Sequence, residues 1–211
     1  MNTNEWQTYL VTAASRSAGR TTPEVVAAAI DGGIDAVQLR DKGTSARERY
    51  ETGLRLRELT AEAGVPLIVN DRVDLAAAVD ADGVHLGQSD LPVSVARERL
   101  GGEAVVGVSA STVDEAREAE AAGADYLGVG AVYGTDSKDV PDEQNGIGTG
   151  RVAAVADAVE IPVIGIGGID ASNAGPVVDA GATGVAALSA ITAAVDPTEA
   201  TAALGEAVAD V

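Results

Sequence analysis

The chain has no cysteine among its 211 residues. Without thiols it can form no disulfide, use no thiolate nucleophile and build no cysteine-based zinc site. It also lacks an apolar run long enough to span a bilayer, and its first residues lack the basic and apolar segments of a signal peptide. We therefore expect a cytoplasmic protein that makes no membrane contact.

Basic residues are scarce as well. Fourteen lysines and arginines face 33 acidic residues, so the formal net charge is −19. Such a surface would repel phosphate backbones, which excludes nucleic acid as a partner, and a hydrophobic content of 46% argues against disorder. An acidic, lysine-poor surface is typical of halophilic proteins, which work in molar salt, where a screening length of roughly 3 Å weakens the repulsion of anionic substrates. An acidic protein of ordinary habitat is the alternative.

The few remaining basic side chains are informative because their types are so rare. Lys42 and Lys138 are the only lysines, and His85 is the only histidine. Each lysine comes shortly after a predicted strand, so we interpret both as kept for a specific task. The alternative is that they are residual surface lysines.

Short apolar runs alternate with helical segments along the whole chain. The runs are continuous, as in strands covered on both faces, and we predict strands over 9–13, 36–40, 67–69, 84–86, 105–108, 126–130, 162–166 and 184–188. Helices are predicted over 22–30, 45–63, 73–79, 93–100, 112–122, 151–159, 173–180 and 197–209. The first has Thr22 as its expected N-cap and Pro23 at its first position. Eight pairs without a spare element predict one domain over 1–211, a (β/α)₈ TIM barrel of parallel strands.

In such a barrel the active site forms at the C-terminal ends of the strands. Polar or glycine residues stand at these ends from the second strand to the eighth, and they include both lysines and the histidine. In chain order they are Gln38, Arg40, Lys42, Asn70, Asp71, His85, Gln88, Asp90, Ser109, Thr135, Asp136, Ser137, Lys138, Gly167, Gly168, Leu188 and Ser189.

Two aspartates follow neighbouring strands in this set. Asp71 comes after the third strand and Asp90 after the fourth. Carboxylate oxygens are the ligands that Mg²⁺ prefers, so the pair predicts a magnesium site. Taken singly, each aspartate is more often a helix cap; their position at adjacent strand ends distinguishes the pair.

Basic residues and glycines at the same strand ends predict two anion sites. Arg40, Lys42 and Lys138 offer positive charge to a large anion such as a diphosphate. Gly167-Gly168 and Leu188-Ser189 follow strands seven and eight, where barrels often bind a phosphate through backbone N–H groups. Glycines that only form a tight turn are the alternative there.

His85 lies within an apolar run, where a structural histidine is as plausible as a catalytic one. No arrangement of nucleophile, base and acid surrounds it in the sequence. The predicted site therefore stabilises charge rather than attacking a substrate.

The strand-end motifs closely resemble those of the thiamine-phosphate synthase family. The matching stretches run in order along nearly the whole chain: Gln38-Leu39-Arg40-Asp41-Lys42, Asn70-Asp71-Arg72-Val73-Asp74, the run from Gly83 to Pro92, Gly107-Val108-Ser109, Gly134-Thr135-Asp136-Ser137-Lys138, Gly167-Gly168-Ile169 and Ser189-Ala190-Ile191. Two departures stand near strand six. Ala131 occupies a position where the family usually has proline, and the loop 139–148 is unusually acidic.

The resemblance implies a transferase of thiamine biosynthesis with the same barrel fold. Its reaction joins 4-amino-2-methyl-5-(diphosphooxymethyl)pyrimidine to a thiazole phosphate and releases diphosphate. The mechanism in this family is dissociative, because diphosphate leaves before the thiazole nitrogen captures a pyrimidine methyl cation. Magnesium would be the cofactor, held by Asp71 and Asp90.

Residue by residue, the resemblance also implies two substrate subsites. The pyrimidine diphosphate would contact Gln38, Leu39, Arg40, Asp41, Lys42, Asn70, Ser109 and Lys138, with Arg40, Lys42, Ser109 and Lys138 in catalytic roles. The thiazole phosphate would contact Thr135, Asp136, Ser137, Gly168, Leu188 and Ser189. A thiazole tautomerase and a phosphate-binding barrel without catalysis are the alternatives, and the sequence leaves a homo-oligomer open.

Overall fold

Eight parallel strands close into a barrel in the order of the sequence. The computed structural model describes residues 2–135 and 145–209, and each strand pairs with the next until β1 meets β8. The strands are β1 Thr8–Val11, β2 Ala36–Leu39, β3 Leu67–Asn70, β4 Gly83–Leu86, β5 Val105–Ala110, β6 Tyr126–Val129, β7 Val163–Ile166 and β8 Gly184–Ala187. The predicted (β/α)₈ fold is confirmed.

Helices follow the strands and cover the outside of the barrel. They are α1 Thr22–Asp31, α2 Ala46–Ala63, α3 Val73–Ala78, α4 Val93–Leu100, α5 Val113–Ala121, α6 Thr149–Ala156, α7 Gly175–Asp179, α8 Ser189–Thr192 and α9 Pro197–Ala209, with short 3₁₀ helices at Thr3–Glu5 and Ala14–Arg16. None of the helices in the described ranges is long and apolar enough to cross a membrane.

Some details of the predicted helices are wrong. The helix predicted over 151–159 is α6 and runs over Thr149–Ala156. Thr21, not Thr22, is the N-cap of α1, because its side chain accepts from the Glu24 N–H and the Glu24 carboxylate accepts from the Thr21 N–H in return. The barrel also carries a spare element, the four-residue α8, which begins directly after β8 at Ser189. Four residues are too short to show a helical period, so α8 could not be predicted from the sequence pattern.

The core has two layers, and they use different residues. Aliphatic side chains fill the space between the strands and the helices, with Leu39 and Leu56 among the fully buried members. The barrel interior holds a smaller cluster with bulkier rings, in which Trp6 packs edge-on against Tyr9 and Tyr126 at ring-centroid distances of 5.6 and 5.3 Å. These rings form the floor beneath the strand ends.

Carboxylates bind the strands together at the opposite, N-terminal end of the barrel. Asp82 accepts from the backbone N–H of Leu67 at 2.8 Å and from Arg57 Nη1 at 2.7 Å. Asp125 repeats this arrangement two strands further on and accepts from the Val106 N–H and from Arg97, both at 2.6 Å. Each of these aspartates accepts hydrogen bonds from a strand N–H and from an arginine, so both stabilise the fold at this end of the barrel.

Candidate active site

A cavity of about 870 Å³ opens at the C-terminal ends of the strands. Its lining includes most of the described residues that the sequence predicts for the site: Gln38, Arg40, Lys42, Asn70, Asp71, His85, Gln88, Asp90, Ser109, Thr135, Gly167, Gly168, Leu188 and Ser189. Asp136, Ser137 and Lys138 lie outside the described residues. With Tyr9 and Val11 of β1, the barrel brings residues from all eight strands, or from the loops that follow them, to one cavity.

Leu39 and Asp41 point elsewhere, unlike their neighbours in the sequence. Leu39 is 1% exposed and packs in the outer core between barrel and helices. The buried Asp41 carboxylate accepts from the Ala14 N–H at 3.0 Å and from the Thr22 hydroxyl at 2.6 Å, so it organises the loop after β1. Successive residues of a strand face opposite sides, which is why Gln38 and Arg40 reach the cavity. We no longer expect the side chains of Leu39 and Asp41 to contact substrate.

The two predicted metal ligands lie side by side on one wall of the cavity. Asp71 follows β3 with a left-handed backbone (φ 62°), and its carboxylate accepts from Lys42 Nζ at 2.9 Å. Asp90 accepts from the Gly87 N–H at 2.7 Å. The two carboxyl groups interact directly with each other.

This contact between like charges separates the pKa values of the pair. Burial would raise the pKa of Asp71, but the hydrogen bond and charge of Lys42, with a hydrogen bond from Asp90, outweigh it and lower that pKa. Burial raises the pKa of Asp90 and the negative charge of Asp71 adds to the rise, against the opposing hydrogen bond from Gly87. The two carboxylates repel each other when both are ionised, and a cation bound between them would relieve this repulsion.

The donor set fits magnesium rather than a transition metal. The described residues contain no cluster of three or more histidine, cysteine or acidic side chains that could hold a metal. Mg²⁺ is commonly bound by one or two carboxylates, completed by waters and substrate phosphates. Asp71 and Asp90 supply two such carboxylates, and the cationic Arg40 and Lys42 line the cavity with them.

The opposite wall is built from backbone instead of charge. Gly167 and Gly168 end β7 with positive φ angles of 108° and 66°. A Cβ at Gly167 would lie 2.6 Å from the Cα of Ala131, and one at Gly168 would lie 2.8 Å from the Gly134 carbonyl oxygen. Only glycine fits at both positions. Nearby, Ser189 opens the short helix α8 after β8, the arrangement in which many barrels bind a phosphate.

The floor of the cavity contains two residues that the sequence analysis missed. The hydroxyl groups of Tyr9 and Tyr126 are 2.9 Å apart. Gln38 Nε2 donates to Tyr9 at 3.1 Å, and His85 Nδ1 lies 3.0 Å from the Tyr126 hydroxyl. Both tyrosines lie in predicted strands, where a search for apolar runs counts tyrosine as a core residue. A buried tyrosine hydroxyl needs a hydrogen-bond partner, and this was the only hint in the sequence that the two residues take part in a polar network.

His85 is held inside the barrel by contacts on both ring nitrogens. Its Nε2 lies 2.9 Å from Ser109 Oγ, and its Nδ1 contacts Tyr126. Gly128 makes room for the ring, since a Cβ there would lie 2.9 Å from His85 Cε1. The imidazole is therefore part of a buried polar chain, and this structural arrangement is one of the two roles that the sequence left open.

Fold and site together define a class of protein. This is a (β/α)₈ barrel whose strand ends combine a carboxylate pair, cationic side chains and a glycine-rich wall, as suits phosphorylated substrates.

Comparison with known proteins narrows this class to a single family. Residues 8–191 match the family model described as thiamine monophosphate synthase. The thiamine-phosphate synthases of Natronomonas pharaonis and Haloarcula marismortui are 66% and 64% identical to the chain, covering 98% and 97% of it and 96% and 97% of their own lengths. The structure of thiamine phosphate pyrophosphorylase from Pyrococcus furiosus superposes with a TM-score of 0.89 at 40% identity, covering 98% of this chain and 97% of that one. The chain belongs to the thiamine monophosphate synthase family, as its motifs predict.

Proposed function

We propose that this protein makes thiamine phosphate from the pyrimidine diphosphate and a thiazole phosphate, releasing diphosphate. The observation that carries the proposal is the contact between Asp71 and Asp90, with Lys42 on the first carboxylate. A pair of like charges held together beside two cationic side chains suits a metal-bound diphosphate. The names and full-length similarity of the relatives support a synthase rather than a thiazole tautomerase or a barrel without catalysis.

In this proposal each wall of the cavity binds the phosphate groups of one substrate. The diphosphate lies on the wall of strands β2 to β4, where Arg40 and Lys42 meet its charge. The phosphate of the thiazole lies on the wall of β7 and β8, near Gly168 and Ser189. The pyrimidine ring occupies the neutral floor between them, against Gln38 and Ser109. This division aligns the thiazole nitrogen with the reacting carbon.

The chemistry needs charge stabilisation more than proton transfer. The C–O bond to diphosphate breaks with its electron pair going to the leaving oxygen, and the lone pair of the thiazole nitrogen then forms the new C–N bond. Bound Mg²⁺ would supply positive charge to the departing diphosphate. Arg40 and Lys42, together with Lys138 from outside the described residues, stabilise the same charge. His85 takes no proton in this scheme, because both its ring nitrogens face side chains of the floor.

A direct assay tests the proposed reaction. The purified protein is incubated with both substrates and Mg²⁺ in buffers from low to molar salt, and thiamine phosphate and diphosphate are quantified. We expect equal amounts of the two products, no product when either substrate is omitted, and loss of product when Mg²⁺ is chelated. Absence of product at every salt concentration would refute the proposal.

We also propose adaptation to high salt, which rests on the net charge of −19. Screening reduces self-repulsion among exposed carboxylates, so the midpoint of thermal unfolding should rise steadily from low to molar NaCl. A flat response would contradict this proposal and leave the proposed reaction untouched.

A further inference from the structure

A continuous chain of hydrogen-bonded side chains crosses the floor of the barrel, and the proposed reaction gives no role to its three middle members, Tyr9, Tyr126 and His85. It starts at Gln38 on β2, passes through Tyr9 on β1 and Tyr126 on β6, and reaches His85 on β4 and Ser109 on β5. Its four links measure 3.1, 2.9, 3.0 and 2.9 Å in this order. The two ends of the chain, Gln38 and Ser109, line the cavity where the pyrimidine ring lies in our proposal.

The direction of the hydrogen bonds follows from the donor at the first link. Gln38 Nε2 can only donate, so the Tyr9 oxygen accepts from it. The proton of the buried Tyr9 hydroxyl also needs an acceptor, and of these two partners only the Tyr126 oxygen can accept it, so we assign Tyr9 as the donor to Tyr126. Tyr126 then donates to His85 Nδ1, which must be unprotonated. A neutral imidazole with a bare Nδ1 carries its proton on Nε2, and this proton goes to Ser109 Oγ.

The last link decides what Ser109 offers to a ligand. A hydroxyl group has one proton and two lone pairs. Because the histidine proton occupies a lone pair of Ser109 Oγ, the serine proton is not used on the imidazole. Ser109 is then a donor toward the cavity. With the opposite histidine tautomer, Ser109 would donate to the imidazole and present only lone pairs.

The surroundings hold this arrangement in place. Burial raises the pKa of Tyr9, with the hydrogen bonds that it makes with Tyr126 and Gln38 opposing the rise in part, and burial also raises the pKa of Tyr126. Both phenols therefore keep their protons. Gly107 leaves the space that the Tyr126 ring fills, since a Cβ there would lie 2.1 Å from the ring. The ring itself is fixed edge-on against Trp6.

We propose that Tyr9, Tyr126 and His85 are positioning residues that keep the Ser109 hydroxyl a hydrogen-bond donor to an acceptor atom of the bound pyrimidine. This inference rests on the proposed function for the identity of the ligand. It assigns a role to the only histidine of the sequence and to two buried tyrosines of the floor. The relay acts on recognition of one substrate, not on departure of the diphosphate.

The tautomer of His85 can be observed directly, because the chain contains no other histidine. In ¹⁵N-labelled protein near neutral pH we expect a protonated Nε2 and an unprotonated Nδ1. Tyr126→Phe removes the donor to Nδ1 and should shift the population toward the other tautomer. Tyr50→Phe is the matched control, because Tyr50 is 40% exposed on α2. A protonated Nδ1 in the unmodified protein would overturn the proposal.

Kinetics tests whether the relay acts through Ser109. Tyr126→Phe should raise KM for the pyrimidine diphosphate about 3- to 10-fold, as for loss of one hydrogen bond. KM for the thiazole phosphate and kcat should stay within about twofold. In a Ser109→Ala background the same change should have no further effect on KM, since the group it acts through is gone. Equal effects in both backgrounds would contradict the proposal.

Tyr9→Phe provides a second variant if Tyr126→Phe does not fold. It breaks the chain one link earlier, so its effect on KM should have the same sign and be smaller. An unchanged KM in a folded Tyr9→Phe protein, with an unchanged histidine tautomer, would also count against the relay. Failure of the unmodified protein to make thiamine phosphate would instead refute the proposed function, and the tautomer would remain measurable independently.

Discussion

The two ends of the barrel use the same residue type in opposite ways. At the N-terminal end, Asp82 and Asp125 each accept from a strand N–H and from an arginine. At the C-terminal end, Asp71 and Asp90 face each other, and the pKa of Asp90 is raised by burial and by the neighbouring charge. Aspartates that stabilise the fold are satisfied by the protein alone. The pair at the C-terminal end instead keeps two carboxylates in contact, an arrangement that a bound cation would stabilise.

The largest effect that distinguishes the two ends should come from removing a carboxylate at the C-terminal end. We expect Asp71→Asn to lower turnover about 10²- to 10³-fold, because it removes a metal ligand beside the departing diphosphate. Stability should change little. Steady-state kinetics at several Mg²⁺ concentrations and urea unfolding measure the two effects.

Asp74→Asn is the matched control for that variant. Asp74 lies three residues further on and forms an exposed ion pair with Arg72 at 2.5 Å. Such a pair contributes at most about 1 kcal/mol, and Asp74 lies away from the metal-ligand pair. Similar losses of turnover in the two variants would show that the effect comes from surface charge and not from a metal site.

Lys138→Ala should have the next largest effect. As one of two lysines in a lysine-poor chain, Lys138 is expected to stabilise the leaving diphosphate, and its loss should lower kcat about 10²-fold. The free energy of unfolding should be unchanged. Arg55→Ala, which breaks an exposed pair with Glu58, is the control, and near-normal turnover of Lys138→Ala would exclude the lysine from the chemistry.

At the N-terminal end the expected effects are reversed. Asp125→Ala removes the acceptor for the Val106 N–H and for Arg97, so the free energy of unfolding should fall by about 1–3 kcal/mol. The kcat/KM of the folded enzyme should stay near that of the unmodified protein, because Asp125 lies at the far end of the strands. A large loss of kcat/KM without a loss of stability would contradict this assignment.

The sequence predicts the barrel well because each strand is a short apolar run between polar segments. Six of the eight predicted strands agree with the observed ones to within one residue at each end. β1 ends at Val11, two residues before the predicted end, and β5 extends two residues further than predicted, to Ala110. Ser109 therefore lies inside a strand. The predicted N-cap of α1 is one residue too far along the chain because Thr21 and Thr22 are the same residue type. Only the pair of hydrogen bonds between Thr21 and Glu24 distinguishes them.

The structure brings most of the described residues predicted at strand ends to one cavity, whereas the side chains of Leu39 and Asp41 face away from it. Successive side chains along a strand face opposite sides. This alternation predicts that Leu39 and Asp41 face away from the cavity when Gln38 and Arg40 face into it. Tyr9 could not be linked to the site from the sequence, because its partners come from distant strands. Such contacts depend on barrel closure, which no local pattern encodes.

Asp90→Asn tests the role of the carboxylate pair through a small, pH-dependent effect on stability. Since the pKa of Asp90 is raised in the folded protein, stability is lost as the pH rises from its ordinary value through the raised one. The asparagine removes that loss and still accepts from the Gly87 N–H. Above that pH window we expect a gain of about 0.5 kcal/mol, which disappears at lower pH.

The decisive measurement compares urea unfolding and Mg²⁺-dependent turnover of Asp90→Asn with those of the unmodified protein at neutral pH. For Asp90→Asn we expect the free energy of unfolding to rise slightly and the turnover to fall at least about 10²-fold. A loss of stability like that of Asp125→Ala, or turnover that is unchanged, would contradict the claim that this carboxylate pair is kept for a metal-bound diphosphate.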